Sequence, residues 1–401
     1  MEIFKMAWRN VWRNRRRTLV TIAAMSLALL VMILYAGLMA GYFRDMERNI
    51  LDLEVGDLQV FAQSYRDNPS LYTRIEDPDG LLGSLEAAGV QASGRLLAWG
   101  LAAGEDTSSG ASFRGVDVER DTQVSKIHRE VADGEWLDPA DPKGVVLGRR
   151  LARTLGVKRG GEVVVLTQGA DGAMAYDLFR VRGILKGIGD ATDRAGLFMN
   201  EAVFRELLLV PEGAHQIIVR RSQEQPLEGV ADLVRSVAAE LDVKTWRQLL
   251  PTLASMLDSG RSAMMVMFVI VYIAIGIVIL NAMLMAVFER IREFGVLKAI
   301  GVGPFEVLRL IVVESAIQTG IAVAIGATLA VPGLYYLSHT GIDLGGMSMM
   351  GIAMDPIWRA EASPETFTQP IVVLLCIVAV AVIYPALKAA LIEPVEAMRH
   401  Q

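Results

Sequence analysis

Residues 263–288 read AMMVMFVIVYIAIGIVILNAMLMAVF, and residues 289–301 continue ERIREFGVLKAIG. The first run contains no Asp, Glu, Lys or Arg. It is longer than the roughly 20 apolar residues a helix needs to cross a hydrocarbon core about 30 Å thick. The second run opens on charge and closes on glycine. An apolar helix that stops at Glu289 and Arg290 and then turns marks the edge of a membrane span, and this places the chain among integral membrane proteins. Three further runs have the same character: Leu19–Gly41, Leu310–Ser338 and Pro370–Leu391. Glu314 and Lys388 lie near span ends, within reach of the interface. Gln318 and Thr319 lie about a turn deeper and are expected to face other helices. Ala316, Gly320, Ala324 and Thr328 form a small-residue stripe suited to helix packing.

Composition agrees. The chain has 401 residues, 53% of them hydrophobic and 21% charged, with a mean hydropathy of +0.39. That is too apolar for an ordinary soluble enzyme and too charged for membrane spans alone. A net charge of −6 gives no bulk attraction for nucleic acid. The single cysteine, Cys376, permits no intrachain disulfide, and His128, His215, His339 and His400 lack metal-ligand spacing. Leu38–Ala40 could end a cleaved signal peptide, but the first apolar run exceeds the usual 7–15 residues of such a segment, so retention is expected.

Basic residues set the orientation. Lys5, Arg9, Arg13, Arg15, Arg16 and Arg17 precede the first span. Arg290, Arg292, Lys298 and Arg309 lie between the second and third, and Lys388 and Arg399 lie at or after the end of the fourth. With four spans these segments share one side, so both termini are expected in the cytoplasm of a bacterial-type inner membrane. Ile3, Phe4, Ala7, Trp8, Val11 and Trp12 recur at helical spacing, as expected of a helix lying in the membrane interface.

Residues 42–262 then lie outside the cell membrane. Short β-like runs alternate there with helical ones, which indicates a large α/β or α+β domain between the first and second spans. Expected strands are Asp57–Ala62, Gly144–Leu147, Glu162–Thr167, Leu178–Leu185 and Gln216–Arg220. Expected helices are Leu81–Ala88, Arg149–Leu155, Asn200–Leu208 and Leu227–Leu241. Glu162–Leu185 reads as a hairpin with its tip at Gly169–Tyr176, and Trp246–Ser262 as a helix leading into the second span. There is no GxSxG, HExxH or P-loop, so no catalytic or nucleotide-binding role is expected. The resulting division is a cytoplasmic interfacial helix at 1–18, spans at 19–41, 263–288, 310–338 and 370–391, the outer domain at 42–262, a cytoplasmic helix at 289–309, an outer loop at 339–369 and a tail at 392–401.

Between the second and third spans, Val287, Ile291, Phe294, Leu297 and Ile300 form an approximate apolar stripe, and Gly301, Gly303 and Pro304 end the helix. On physical grounds this segment is either a solvated turn or a docking knob. The run Glu289 to Gly301 resembles the coupling-helix signature of FtsX-like ABC transporter permeases, the superfamily of MacB efflux pumps, lipoprotein-releasing Lol permeases and FtsX. Tyr384–Arg399 is similar to the family's C-terminal pattern. Val145–Ala152 and Gly160–Val163 resemble its periplasmic domain. Met39–Leu51 and Thr245–Gln248 resemble the lipoprotein-releasing LolC/LolE branch, whereas the short hairpin tip departs from that branch and the coupling segment reads closer to the MacB form.

The resemblance implies two permeases, two copies of this chain or two related chains, above two separate ATPase subunits that bind ATP and Mg²⁺. This chain itself then carries no cofactor. Glu289, Arg290, Arg292, Glu293, Phe294 and Lys298 would dock the ATPase. A lipoprotein cargo would place its acyl chains against Met25, Leu29 and Ile33 on the first span and Met264, Phe268, Tyr272 and Ile275 on the second, positions that equally suit lipid contact or helix packing. Gly169, Asp171, Met174 and Tyr176 would meet a periplasmic carrier. Alternatives are an FtsX-type signalling scaffold that activates a periplasmic hydrolase, an efflux permease for another amphipathic cargo, and a membrane-anchored enzyme, which the missing catalytic motif disfavours.

Overall fold

The computed structural model describes residues 2–222, 225–343, 348–349, 352–353 and 357–391. In chain order the first elements are α1 (Glu2–Arg13), α2 (Arg15–Ile50), β1 (Leu58–Phe61), α3 (Pro78–Ala87), β2 (Gln91–Ala103), β3 (Ser108–Val116), α4 (Val118–Val124) and β4 (Val131–Gly134). Next come β5 (Gly144–Leu147), α5 (Arg149–Thr154), β6 (Glu162–Gln168), β7 (Met174–Leu185), α6 (Asp190–Ala195), β8 (Gly196–Asn200), α7 (Glu201–Leu208) and β9 (Gln216–Arg220). The last are α8 (Leu227–Val237), β10 (Asp242–Thr245), α9 (Trp246–Leu249), α10 (Pro251–Glu289), α11 (Ile291–Ala299), α12 (Pro304–His339) and α13 (Pro364–Leu391). Two compact units result. Among the described residues, one is helical, from residues 2–44, 256–343 and 357–391. The other is mixed α/β, chiefly from residues 45–255.

In the helical unit, α2, α10, α12 and α13 are long and apolar enough to cross a membrane. Each continues beyond the apolar run that the sequence marks. Their shared interior is filled by Met25, Leu29 and Ile33 of α2, Phe268 and Tyr272 of α10, Ala322 and Ala330 of α12, and Leu374 and Val378 of α13. Backbones approach closely where side chains are small. Ser26 Oγ donates to Ala322 O at 3.1 Å, and a Cβ on Gly326 would lie 2.8 Å from Ser26 O. The packing stripe on α12 is therefore Ala322, Gly326 and Ala330, whereas Ala316, Gly320, Ala324 and Thr328 face outward in this chain. The expected stripe is off by two residues because the polar Ser315, Gln318 and Thr319 are buried instead, Ser315 and Thr319 by bonding back to Ile311 O and Ser315 O.

The exit of α2 is clasped by the segment before α13. Ile342–Asp343 pairs antiparallel with Ile357–Trp358. Trp358 Nε1 donates to Leu38 O at 2.7 Å and Glu361 N to Gly37 O at 2.8 Å, while Arg44 pairs with Glu361. Gly41 lets this happen, since a Cβ there would sit 1.9 Å from Arg359 O. The fourth helix begins at Pro364, so Pro370, read from sequence as its start, lies inside it.

The α/β unit is built on a ten-stranded mixed sheet in the order β10-β1-β9-β2-β3-β8-β5-β7-β4, with β6 pairing both β2 and β7. Leu58 of β1 faces Thr245 of β10 and Val219 of β9. Along one edge β2 pairs first with β9 (Gln91–Arg95) and then with β6 (Leu101–Ala103). One core packs α5 and α7 on the sheet through Leu151, Phe204, Phe113 and Phe179. A second holds α3 and α8 through Leu85, Val234, Leu58 and Ile217. Local signals are conventional: Asp77 caps α3 by accepting from Gly80 N at 2.9 Å, with Pro78 opening the helix.

Three expectations need correction. The lead-in Trp246–Ser262 is not one helix, because α9 ends at Leu249 and α10 starts at Pro251. The ring of Pro251 excludes a helical Leu250, which takes φ −123° and ψ 63°. Helix α8 ends at Val237 rather than Leu241. The hairpin tip is only residues 169–173, because β7 starts at Met174 and pairs that residue with Gln168.

His215 is fully buried behind the sheet. Its Nδ1 accepts from Leu97 N at 3.1 Å, and Nε2 lies 3.3 Å from Leu71 O. Burial pushes its pKa down to about 4. The unfolded chain therefore binds a proton near pH 6.5 that the folded unit refuses until about pH 4. Stability is complete above the higher value and falls as the pH drops through this window. Thermal melts of the detergent-purified chain at pH 7.5 and pH 5 are expected to show this acid loss, and His215→Gln is expected to flatten it.

Candidate functional site

The helix between the second and third long helices forms where sequence breaks the apolar pattern. Helix α10 ends at Glu289, Arg290 leaves helical geometry at φ −110° and ψ 13°, and α11 begins at Ile291. Ile291, Phe294 and Gly295 turn inward. Gly301, at φ +101°, ends the segment, with Val302 N donating to Leu297 O at 3.0 Å.

Charges then fix α11 from three sides. Arg290 Nη1 donates to Glu314 Oε2 at 2.9 Å across to α12, and the two side chains are only 11% and 9% exposed. Arg290 also donates through Nε to Glu293 at 3.3 Å, and its guanidinium lies over the Phe294 ring at 5.4 Å. Arg13 of α1 donates to Glu293, and Arg17 at the start of α2 donates to Glu289. Lys298 Nζ donates to Ala390 O of α13 at 2.8 Å.

The hydrogen bond from Arg13 holds the Glu293 carboxyl below its usual range. A depressed carboxylate contributes stability above its unfolded value and loses it as acid protonates the folded group. Both side chains are about half exposed, so the effect is small and weakened by salt. Glu293→Gln is expected to lower the melting temperature at pH 7 by about a degree or two at most, a difference that shrinks as the pH falls below the usual carboxylate range.

The structure redistributes the expected site residues. Glu289, Arg290, Glu293 and Lys298 all engage the chain's own helices. A direct docking contact by Phe294 is corrected, because its ring is 1% exposed and packs inside the unit. Ile300, placed on the inward stripe, is 74% exposed because α11 ends one residue earlier. The outward surface of this segment is Arg292, Val296, Ala299 and Ile300, followed by Phe305. Sequence reading missed Arg13, Arg17 and Glu314 as anchors. The basic flank was legible as an orientation signal, and nothing in its spacing names an acidic partner some 270 residues away.

The positions expected to face cargo lie in or against the helical interior, which suits the helix packing weighed beside that role. Met25, Leu29, Ile33, Phe268 and Tyr272 are buried in the helical core, Met264 and Ile275 pack against it, and Tyr272 Oη donates to Pro370 O at 2.8 Å. The outward side of α10 is instead Val266, Ile270, Ile273 and Ile277. At the hairpin, Gly169 and Asp171 form the turn, with Asp171 Oδ1 accepting from Ala173 N at 2.9 Å, while Met174 and Tyr176 stand exposed on β7. The tail motif from Ile392 to Arg399 lies outside the described residues.

The family model described as MacB-like periplasmic core domain matches residues 18–237, and the FtsX-like permease C-terminal model matches residues 265–394. The chain belongs to the FtsX-like ABC transporter permease family. An uncharacterized ABC transporter permease of Methanocaldococcus jannaschii is 26% identical over 67% of this chain and 65% of its own length. The lipoprotein-releasing system transmembrane protein LolC of Xylella fastidiosa (strain Temecula1) is 21% identical over 73% of each chain. LolC of Neisseria meningitidis is 21% identical over 96% of this chain and 94% of its own. The two matched regions are α2 with the α/β unit as far as the end of α8, and the chain from within α10 through α13.

Proposed function

We propose that this chain is the permease subunit of an ABC transporter of the bacterial inner membrane. Both termini face the cytoplasm and the α/β unit lies outside, between the first and second spans. A separate ATPase subunit, which holds ATP and Mg²⁺, docks on the outward surface of α11. Two permease copies, or this chain and a related one, assemble in the membrane and are surrounded by its lipids. The cargo is a lipoprotein released to a periplasmic carrier, a reading supported by the similarity to LolC chains.

One observation carries the mechanism. Ion pairs from α1, α2 and α12 converge on residues 289–293, so a push on α11 is passed to several helices at once instead of bending a loop. Glu289, Arg290, Glu293, Phe294 and Lys298 position this helix, and Arg292, Val296 and Ile300 offer its contact surface. Ile300→Glu and Arg292→Glu are each expected to weaken co-purification of the ATPase at least about tenfold, equivalent to 1.4 kcal/mol, while Ile300→Leu retains it. Undiminished association in both charge variants would remove α11 as the docking surface.

A second reading, an FtsX-type scaffold that signals to a periplasmic hydrolase, is favoured by the packed interior of the helical unit. Phe268 and Tyr272, against which a lipoprotein's acyl chains were expected to lie, are buried among the chain's own helices. Affinity capture of the intact complex separates the two: a lipoprotein or its carrier supports transport, and a cell-wall hydrolase supports signalling.

A further inference from the structure

The cations that precede the first span do not share one fate. Arg13 reaches Glu293 and Arg17 reaches Glu289, both at the turn into α11. Lys5 and Arg9 of α1, and Arg15 and Arg16 at the start of α2, stand exposed. Among the described residues, none of them has a carboxylate partner. Lys5, Arg9 and Arg13 follow one another at i, i+4 spacing, and like charges at that spacing destabilise an isolated helix. The chain supplies an acid for the last of the three and leaves the other two, with the Arg15–Arg16 pair beside them, to an anion from outside.

A second stripe runs beside the basic one. Phe4, Trp8 and Trp12 repeat at the same i, i+4 spacing one residue earlier, and all three are exposed. The rings of Trp8 and Trp12 meet edge to face at 6.0 Å. Ala7 and Val11, on the side away from the basic stripe, are fully buried, and α1 packs there on α12. The aromatic and basic stripes therefore both stay outside the helical core. Thr18 Oγ1 donates to Val11 O at 2.7 Å and fixes the turn at Asn14 between α1 and α2. Arg15 and Arg16 then lie within about 6 Å, measured along α2, of Leu19, where the apolar run begins. Cations, aromatic rings and the start of a membrane span are thus gathered at one level.

We propose that this ledge is a binding site selective for anionic phospholipid. Lys5, Arg9, Arg15 and Arg16 take the headgroup phosphates, and Phe4, Trp8 and Trp12 enter the boundary between headgroups and acyl chains. Charge complementarity selects the occupant. A zwitterionic headgroup brings its own cation and leaves the repulsion among the four charges in place, whereas an anionic one removes it. An acidic peptide would meet the cations but leave the three aromatic rings in water. Position in the membrane interface, which the sequence pattern already indicates, does not by itself specify headgroup charge; the pairing of Arg13 and Arg17 to protein carboxylates, with the other four left over, does. Such selectivity goes beyond the transport reading and stands without it, since it needs neither nucleotide, ATPase nor cargo.

The test uses the full chain in detergent, titrated with phosphatidylglycerol or with phosphatidylcholine of the same acyl chains and read by native mass spectrometry. Phosphatidylglycerol is expected to bind at least about tenfold more tightly, and the preference should shrink as salt is raised. That salt series is read on the unaltered chain, so it does not depend on any variant folding. Combining Lys5→Gln, Arg9→Gln, Arg15→Gln and Arg16→Gln should remove most of the preference. Lys5→Arg, Arg9→Lys, Arg15→Lys and Arg16→Lys together should keep it. The melting temperature of the fourfold Gln variant in lipid-free detergent should be no lower than that of the parent, because only exposed like charges are lost. Equal binding of the two lipids, a preference insensitive to salt, or an undiminished preference in the folded Gln variant overturns the proposal. So does displacement of phosphatidylglycerol by an equal concentration of a polyglutamate peptide, which would make an acidic protein segment the occupant.

Discussion

Replacing Arg290 with alanine is expected to destabilise the helical unit by about 3–5 kcal/mol, the cost of removing one partner from a buried ion pair. The loss arises mainly from what remains. Glu314 is 9% exposed and one turn inside the apolar run, so without Arg290 a buried charge loses its ion-pair partner. Glu293 loses a donor and the Phe294 ring its cation at the same time. Melting temperature in detergent and ATPase stimulation in the assembled complex should both fall. Adding Glu314→Gln to Arg290→Ala should recover much of the stability, because it removes the stranded charge. Val296→Ala, on the outward side of the same helix, should shift melting by less than a quarter as much. Equal shifts for Arg290→Ala and Val296→Ala would mean that the buried pair does not hold α11.

The second large effect is expected at Gly41, where the same substitution has opposite signs at two glycines. Alanine favours helix over glycine by up to about 1 kcal/mol. At Gly320 the added Cβ meets open space, so Gly320→Ala is expected to stabilise. At Gly41 it would stand 1.9 Å from Arg359 O and 3.1 Å from Glu361 N, both backbone atoms that cannot rotate away. Relieving that overlap moves the strap off α2 and breaks the bonds from Trp358 to Leu38 O and from Glu361 to Gly37 O. Gly41→Ala is therefore expected to cost about 1–3 kcal/mol and to expose the 357–361 segment to protease. A stabilised Gly41→Ala chain would show that the strap does not pack there.

The spans were legible because length and apolarity alone define them, and four runs met the requirement without charged residues at mid-depth. The direction each helix face points was not. Ala316, Gly320, Ala324 and Thr328 have the spacing of a packing stripe, but the opposite face, two residues along with Ala322 and Gly326, is the one that meets α2. Small residues recur on both faces, so periodicity could not choose. In the α/β unit, β1, β5, β6 and β9 were visible as β-branched runs. The long β2 and β3 were missed because QASGRLLAWGLAA and SSGASFRGV are rich in Ala, Gly and Ser and poor in strand formers. They hold their place through pairing with each other and with neighbours on both sides, which is tertiary information. At the candidate site, the charged turn was legible from Glu289 to Lys298. Its anchors were not, because ion pairing over such separations leaves no local pattern, and Phe294 was misread because a short amphipathic helix does not reveal which face its neighbours cover.

The pairing of β1 with β9 and β10 sets a schedule for biosynthesis. Leu58 waits for Val219 and Thr245, made about 160 and about 190 residues later, which is about 8–40 s at bacterial-like elongation rates of roughly 5–20 residues per second. Throughout that interval the nascent strand Leu58–Phe61 has neither of its neighbours and is a ready template for aggregation. A ribosome stalled before residue 216 would therefore release not a smaller stable module but a sticky intermediate, destined for chaperones or proteases.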